Sequence, residues 1–250
     1  MDFQSQLTQG VLLKRYKRYL AEIILNNQEH RIIYCPNMGV MSGCENLGSR
    51  IWFSHTHDSR RPFPDTWELV EVDGGHLICV NTQHVKPILI EAIEKNKITE
   101  LRDYTQYKLI LPYLEEEGFD FILEKNISST LKTEKCFGVM KAVTLGDEIH
   151  RGFYPEAANV QNSEQLKALI SAKQRGHRAI LIYGVLHTGV QRVFPADHID
   201  PEYGALLRQA LITGVEIIGY RVDISLIGLF MGSPVEICIP ARLISSSRST

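Results

Sequence analysis

From residue 11 to residue 80 the chain is written in short apolar runs separated by turn residues; at residue 82 the apolar spacing lengthens to a helical period. That switch constrains the fold most. Strands present side chains with period 2 and helices with period 3.6, so the two halves must bury their faces in different ways. In the first half, residues 11–25 read as one long strand, followed by a turn at Asn26-Asn27. Further strands read at 31–35, 50–54, 67–72 and 76–80, the last two joined by Asp73-Gly74-Gly75, a hairpin signal. Five short strands in about 80 residues predict a small closed barrel, since closure removes exposed edges.

The second half reads differently. Residues 82–96 carry Val85, Ile88, Leu89, Ala92 and Ile93 at helical spacing, with Pro87 in the first turn, where its missing N–H does no harm. Strands read at 119–123 and 136–145. A helix reads from Asn162 to Gly176, with Asn162 as cap and Gln165 completing a capping box. Residues 177–186 form an apolar central strand. Asp200-Pro201 opens a third helix that closes at Gly214, and strands at 215–224 and 234–240 finish the domain. Strands alternating with helices predict an α/β core. The expected division is a barrel over 1–81, an α/β domain over 82–240 and a frayed, serine-containing tail over 241–250.

An apolar fraction of 44% excludes a disordered chain. No apolar run reaches the roughly 18 residues of a membrane span, and the first residues lack the basic and apolar regions of a signal peptide. The expected compartment is the cytoplasm. The five cysteines form no Cys-x-x-Cys pair, so they read as idle thiols in a reducing compartment. No dinucleotide fingerprint, P-loop or nucleophile elbow occurs. His55 and His57 would share one strand face and could ligate a metal, but no further histidine lies nearby, and a polar loop is the simpler reading.

The net charge of −2 argues against binding nucleic acid through overall charge, yet leaves room for a local patch. Such a patch stands at Lys14-Arg15-Tyr16-Lys17-Arg18-Tyr19, four cations and two aromatics in six residues. Period 2 puts Lys14, Tyr16 and Arg18 on one face and Arg15, Lys17 and Tyr19 on the other. Cations that track phosphates, beside rings that stack on bases, are what binding to single strands without sequence preference requires. Arg60 and Arg61 could extend the patch. The bland alternative is a solvated strand with its long apolar stems lying along the surface.

These residues also carry a resemblance. Arg15 to Ala21, the run Cys35-Pro36-Asn37-Met38-Gly39 through Cys44, Trp67 to Val70, Val80 to Thr82, Val143 to Leu145, Gly176 to Ala179, Phe194 to Ala196 and Ile199 to Tyr203 closely resemble, in order, the sugar fermentation stimulation protein A family. The resemblance implies an N-terminal OB-like barrel and a C-terminal domain similar to the PD-(D/E)-x-K nucleases. It also implies DNA binding without marked sequence preference, and a regulatory role in sugar utilisation. On that reading Lys14, Arg15, Lys17 and Arg18 contact phosphates with help from Arg60 and Arg61. Tyr16 and Tyr19 are stacking platforms, and Asn37 and Gly39 shape the adjacent loop.

A nuclease of that type needs an acid on one strand, and an acid and a lysine two residues apart on the next, so that both face one Mg²⁺. Asp120 matches the first acid and Lys141 the lysine, but Val139 stands where the family has glutamate. The family's Ser-Arg is replaced by Glu117-Gly118, and its Phe-Pro-Asp-Ala by Tyr154-Pro155-Glu156-Ala157. The expectation is therefore a DNA-binding protein whose cleavage site is a remnant, needing no cofactor. The competing enzyme reading is a Mg²⁺-dependent nuclease in which Asp120 and Glu156 hold the metal, with Glu124 or Glu134 as poorer donors. A protein-interaction module is the third possibility. For Asp120 and Lys141 alone, a buried ion pair is the plain structural reading.

Overall fold

A computed structural model describes residues 1–37, 39–104, 106–109, 118–127 and 132–241. Met38, Glu117 and the tail beyond residue 241 lie outside the described residues. The N-terminal barrel is built from β1 (Thr8–Tyr16), β2 (Leu20–Ile24), β3 (His30–Tyr34), β4 (Arg50–His55) and β5 (Asp65–Val72). They run in the order β3-β2-β1-β4-β5, and β3 returns to β5 where Tyr34 pairs with Thr66, which closes the barrel. Leu12, Ile23, Ile33, Ile51, Phe53 and Trp67 fill its interior. A further strand, β6 (His76–Cys79), follows the expected Asp73-Gly74-Gly75 turn and pairs with β5 outside the closure.

The long strand expected over 11–25 is two strands. Tyr16 pairs with Leu20, and Lys17, Arg18 and Tyr19 form the connecting turn. Lys17 and Arg18 take φ values of 53° and 63°, a left-handed conformation that the sequence does not signal because neither is glycine or asparagine. A bulge at Leu13 also interrupts the β1–β2 ladder, pairing Leu12 with Ile23 but Lys14 with Glu22. After the bulge Arg15 lies opposite the buried Ala21, which sends its side chain inward.

The second domain contains α1 (Val85–Glu94), β7 (Gln106–Leu109), β8 (Phe121–Ile127), β9 (Lys132–Val143), β10 (Leu145–Gly146), β11 (Arg151–Tyr154) and α2 (Val160–Gln174). It continues through β12 (Arg178–Val185), β13 (Arg192–Pro195), α3 (Pro201–Thr213), β14 (Glu216–Ile224), β15 (Leu229–Pro234) and β16 (Glu236–Ile237). The main sheet has the order β15-β14-β12-β9-β8-β7, with β9, β12 and β14 parallel. A smaller sheet, β10-β11-β13-β16, stands beside it. Helices α2 and α3 cover one face of the main sheet through Leu166, Leu169, Tyr203 and Leu207. Helix α1 covers the other through Val85 and Leu89. This mixed α/β domain matches the expected class, but β15 falls where no strand was read, and the strand expected over 234–240 shrinks to β16.

Helix α3 has the caps the sequence announces: the Asp200 side chain accepts from Tyr203 N, and Gly214 ends the helix at φ 92°. Helix α2 does not. Its cap is Asn159, whose side chain accepts from Gln161 N, so Asn162 and Gln165 lie inside the helix and are free for another use. The two domains meet along a seam of Trp52, Leu69, Cys79, Ile88, Leu186 and Val222. There Cys79 N donates to Leu186 O at 2.9 Å, and Thr188 N donates to Leu77 O at 2.9 Å.

Candidate functional site

The positions that the resemblance singles out assemble near the end of β9, just past the point where β8 stops pairing with it. Asp120, one residue ahead of β8, accepts from Met140 N at 2.8 Å through Oδ2 and pairs with Lys86 Nζ at 2.7 Å through Oδ1. Lys86 sits on α1 and belongs to no motif. Asp120 and Lys141 therefore do not form the simple ion pair considered above. Lys141 Nζ donates to Asn162 Oδ1 at 2.8 Å and to the Gln165 side-chain carbonyl. Tyr154 also donates to Asn162 Oδ1, at 2.9 Å. The three-residue spacing that reads as a capping box is thus one face of α2 holding a buried amine.

Burial pulls the Lys141 amine down to about 8, against a partial upward pull from Asp120. Between pH 8 and 10.5 the unfolded chain holds a proton on this lysine that the folded chain does not, so stability rises with pH across that window. We expect wild type to gain about 3 kcal/mol relative to Lys141→Met between pH 8 and 10.5. Urea unfolding of both proteins at several pH values checks this, and parallel curves would refute it.

Glu156 belongs to a second network. Asn37 Oδ1 accepts from Gly39 N at 2.7 Å, and its amide donates to Glu156. The Met41 amide and the nearby Arg15 charge also favour the Glu156 carboxylate, but burial dominates and raises its pKa. A Cβ on Gly39 would lie 2.6 Å from Glu156 Oε2 and 2.9 Å from Asn37 Oδ1, so a side chain here would displace both groups. Asn37, Gly39, Lys141, Tyr154, Glu156 and Asn162 line one cleft of about 630 Å³ between the barrel loop and the second domain.

Arg15 controls the loop side of that cleft. Its side chain is 6% exposed. Nη2 donates to Arg18 O at 2.7 Å, Asn37 O at 2.7 Å and Gly39 O at 3.0 Å, while Nη1 faces Glu45 at 3.3 Å. These donors are committed to the fold. Lys17 and Arg18 are exposed, and Tyr19 is 37% exposed. Lys14 is exposed, pairs with Glu22 at 2.9 Å and lies 5.7 Å from the Tyr16 ring centre. Arg60 and Arg61 are exposed in the β4–β5 loop, whose start lies beside Thr8 and whose end, at Thr66, pairs with Tyr34, the neighbour of Leu20. Arg60 is also held by Asp58 at 2.8 Å.

The donor set does not fit a divalent cation. Val139 is fully buried in the core beneath α2, both Asp120 oxygens are engaged, and Glu156 is bound by Asn37 and Met41. Among the described residues no group of three or more His, Cys, Asp or Glu is arranged to hold a metal. Glu124 pairs with Lys135, and Glu134 accepts from Tyr104 at 2.5 Å, both on the β8–β9 hairpin. On the barrel His55 pairs with Asp65 at 2.7 Å.

Comparison with known proteins extends this picture. Residues 13–80 match the family model described as the SfsA N-terminal OB domain, and residues 83–227 match the sugar fermentation stimulation protein RE domain. A sugar fermentation stimulation protein homolog of Aeromonas hydrophila subsp. hydrophila is 39% identical over 225 residues, covering 88% of this chain and 89% of the relative. A homolog from Aliivibrio fischeri is 37% identical over 225 residues, covering 90% and 94%. The structure of Pyrococcus furiosus SfsA in complex with Ca²⁺ superposes with a TM-score of 0.81 at 21% identity, over 96% of this chain and 98% of that one. Among the described residues no helix is long and apolar enough to cross a membrane.

Proposed function

Because the chain belongs to the sugar fermentation stimulation protein family, we propose that it is a cytoplasmic protein that binds DNA without marked sequence preference and regulates sugar utilisation. The observation that carries this reading is the Arg15 network. A buried guanidinium fixes a turn that holds two cations outward in left-handed backbone, and ties that turn to the loop over the cleft. Holding non-glycine residues there is unfavourable unless the surroundings impose it. Here they do: besides Arg15, Cys35 N donates to Tyr19 O at 2.8 Å.

Lys14, Lys17 and Arg18 are the phosphate contacts, and Tyr16 and Tyr19 the ring surfaces beside them. Arg15, Asn37 and Gly39 position the loop. Arg60 and Arg61 assist from the β4–β5 loop, Arg60 less so because it pairs with Asp58. The second domain is nuclease-like with a remnant site. Lys141 and Asn162 face the cleft, but no paired carboxylates stand ready for Mg²⁺.

The test is retardation of a short DNA duplex and of a single strand of equal length. Wild type should retard both, and Lys17→Glu/Arg18→Glu should weaken binding to all sequences alike, by at least about 40-fold, without changing the melting temperature. Absence of retardation even at low salt would favour the protein-interaction reading. Mg²⁺-dependent nicking abolished by Asp120→Ala would favour the enzyme.

A further inference from the structure

A second cavity, of about 450 Å³, lies on the domain seam, away from Lys141. Three imidazoles from three segments converge on it: His76 from the start of β6, His150 from the β10–β11 turn and His187 after β12. The His76 ring centre lies 5.9 Å from that of His150 and 6.1 Å from that of His187. His150 holds φ 64°, the left-handed region, to reach this position. Ser42, Gly43 and Asn46, from the far half of the same loop that covers the cleft, complete the wall.

The hydrogen bonds fix which ring atoms are available. Gly189 N donates to His187 Nδ1 at 3.0 Å, so neutral His187 carries its proton on Nε2 and is a donor, not a metal ligand. Gly189 O accepts from His150 Nδ1 at 2.9 Å, leaving Nε2 of that ring to take up a proton. Burial drives His187 down to about 4, so it stays neutral at ordinary pH. Any further positive charge among these imidazoles must therefore be carried by His76 or His150.

The other charged groups around the site are few. Asp147 lines the cavity, but it accepts from Ile149 N, Arg151 N and Arg151 Nε. Glu148 is exposed at the rim. Arg221 and Asp223 of β14 share a neighbouring recess with His187. No carboxylate among the described residues hydrogen-bonds to His76, His150 or His187 within the cavity. The available hydroxyl, amide and N–H groups of Ser42, Asn46 and the imidazoles are oxyanion donors. Roomy cavities at domain interfaces with a few converging polar groups are where small ligands bind.

We propose that the seam cavity binds a small oxyanion, gripped by His76 and His150 as they take up protons, with His187 Nε2–H as a fixed donor. Occupancy would brace the loop whose other half lines the Lys141 cleft, but the site does not depend on the DNA-binding reading.

Calorimetric titration of the full chain with sulfate tests it, because sulfate keeps the same charge from pH 6 to pH 8. Saturable binding at least about fivefold tighter at pH 6.0 than at pH 8.0 is expected. His150→Asn, in which asparagine tolerates the left-handed backbone, and His76→Asn should each remove most of that pH dependence. Glu148→Gln should tighten binding, and Lys17→Glu/Arg18→Glu should leave it unchanged, separating this site from the DNA-binding turn. An adventitious ion only, meaning no saturable binding at pH 6.0 or affinities that ignore His76→Asn and His150→Asn, would overturn the proposal.

Discussion

Arg15→Ala is expected to lower the unfolding free energy by roughly 3 kcal/mol and to abolish DNA retardation, although by this account Arg15 touches no phosphate. The side chain is almost wholly buried and its Nη donors serve four carbonyls, of Arg18, Asn37, Gly39 and Val40, as well as facing Glu45. Hydrogen bonds from a charged group contribute about 1.5–3 kcal/mol each, and carbonyls left unpaired in a buried place add their own desolvation loss. The turn then loses what holds Lys17 and Arg18 in left-handed backbone, so the phosphate contacts scatter. For a chain of this size the melting temperature should fall by about 6–12 °C. Arg15→Lys should not rescue the protein, since an ammonium lacks the planar fork that spans the turn and the loop. Thermal unfolding and gel retardation on the two variants check this. A stable Arg15→Ala protein with weakened but persistent binding would show instead that Arg15 is an ordinary phosphate contact.

The second large effect is expected at Val139→Glu, which restores the acid that the family resemblance places there. Val139 is fully buried beneath α2, in the core with Phe119 and Leu166. A carboxyl placed there has no hydrogen-bond partner waiting, and Lys141 is already held by Asn162 and Gln165. We expect a loss of at least about 3 kcal/mol in urea unfolding. Cleavage should not return, because Asp120 remains engaged by Lys86 and the Met140 amide. Nicking of supercoiled plasmid in Mg²⁺ reads the second half of the prediction. A stable variant that nicks would mean that one side chain alone separates this protein from an enzyme.

The sequence revealed elements whose signals are local. Asp200-Pro201 and Gly214 bound α3 because capping needs only neighbouring residues. Asp73-Gly74-Gly75 marks a turn because Gly74 and Gly75 take positive φ. The β1–β2 turn was hidden because Lys17 and Arg18 adopt that backbone under tertiary restraint. Short strands such as β10, β11 and β13 gave no alternation long enough to read. At the site, Asp120, Lys141 and Glu156 were legible as motif positions, but their partners were not. Lys86 carries no motif, and Asn162 and Gln165 have a spacing that serves a cap or a side-chain clamp equally well. The inward course of Arg15 follows from a one-residue bulge, which no local pattern announces.

The structure also changes the expected salt response. Five phosphate contacts would weaken binding about 500-fold for a fourfold rise in salt. With Arg15 committed and Arg60 paired with Asp58, the three contacts at the turn alone give about 40-fold. The decisive measurement is fluorescence anisotropy of a labelled DNA duplex titrated with wild type and with Lys17→Glu/Arg18→Glu over a range of salt. A log–log slope of about −2.7 for wild type, reduced by about 1.8 in the double variant, is the predicted result. A flat wild-type slope, or one that the double variant leaves unchanged, would contradict it.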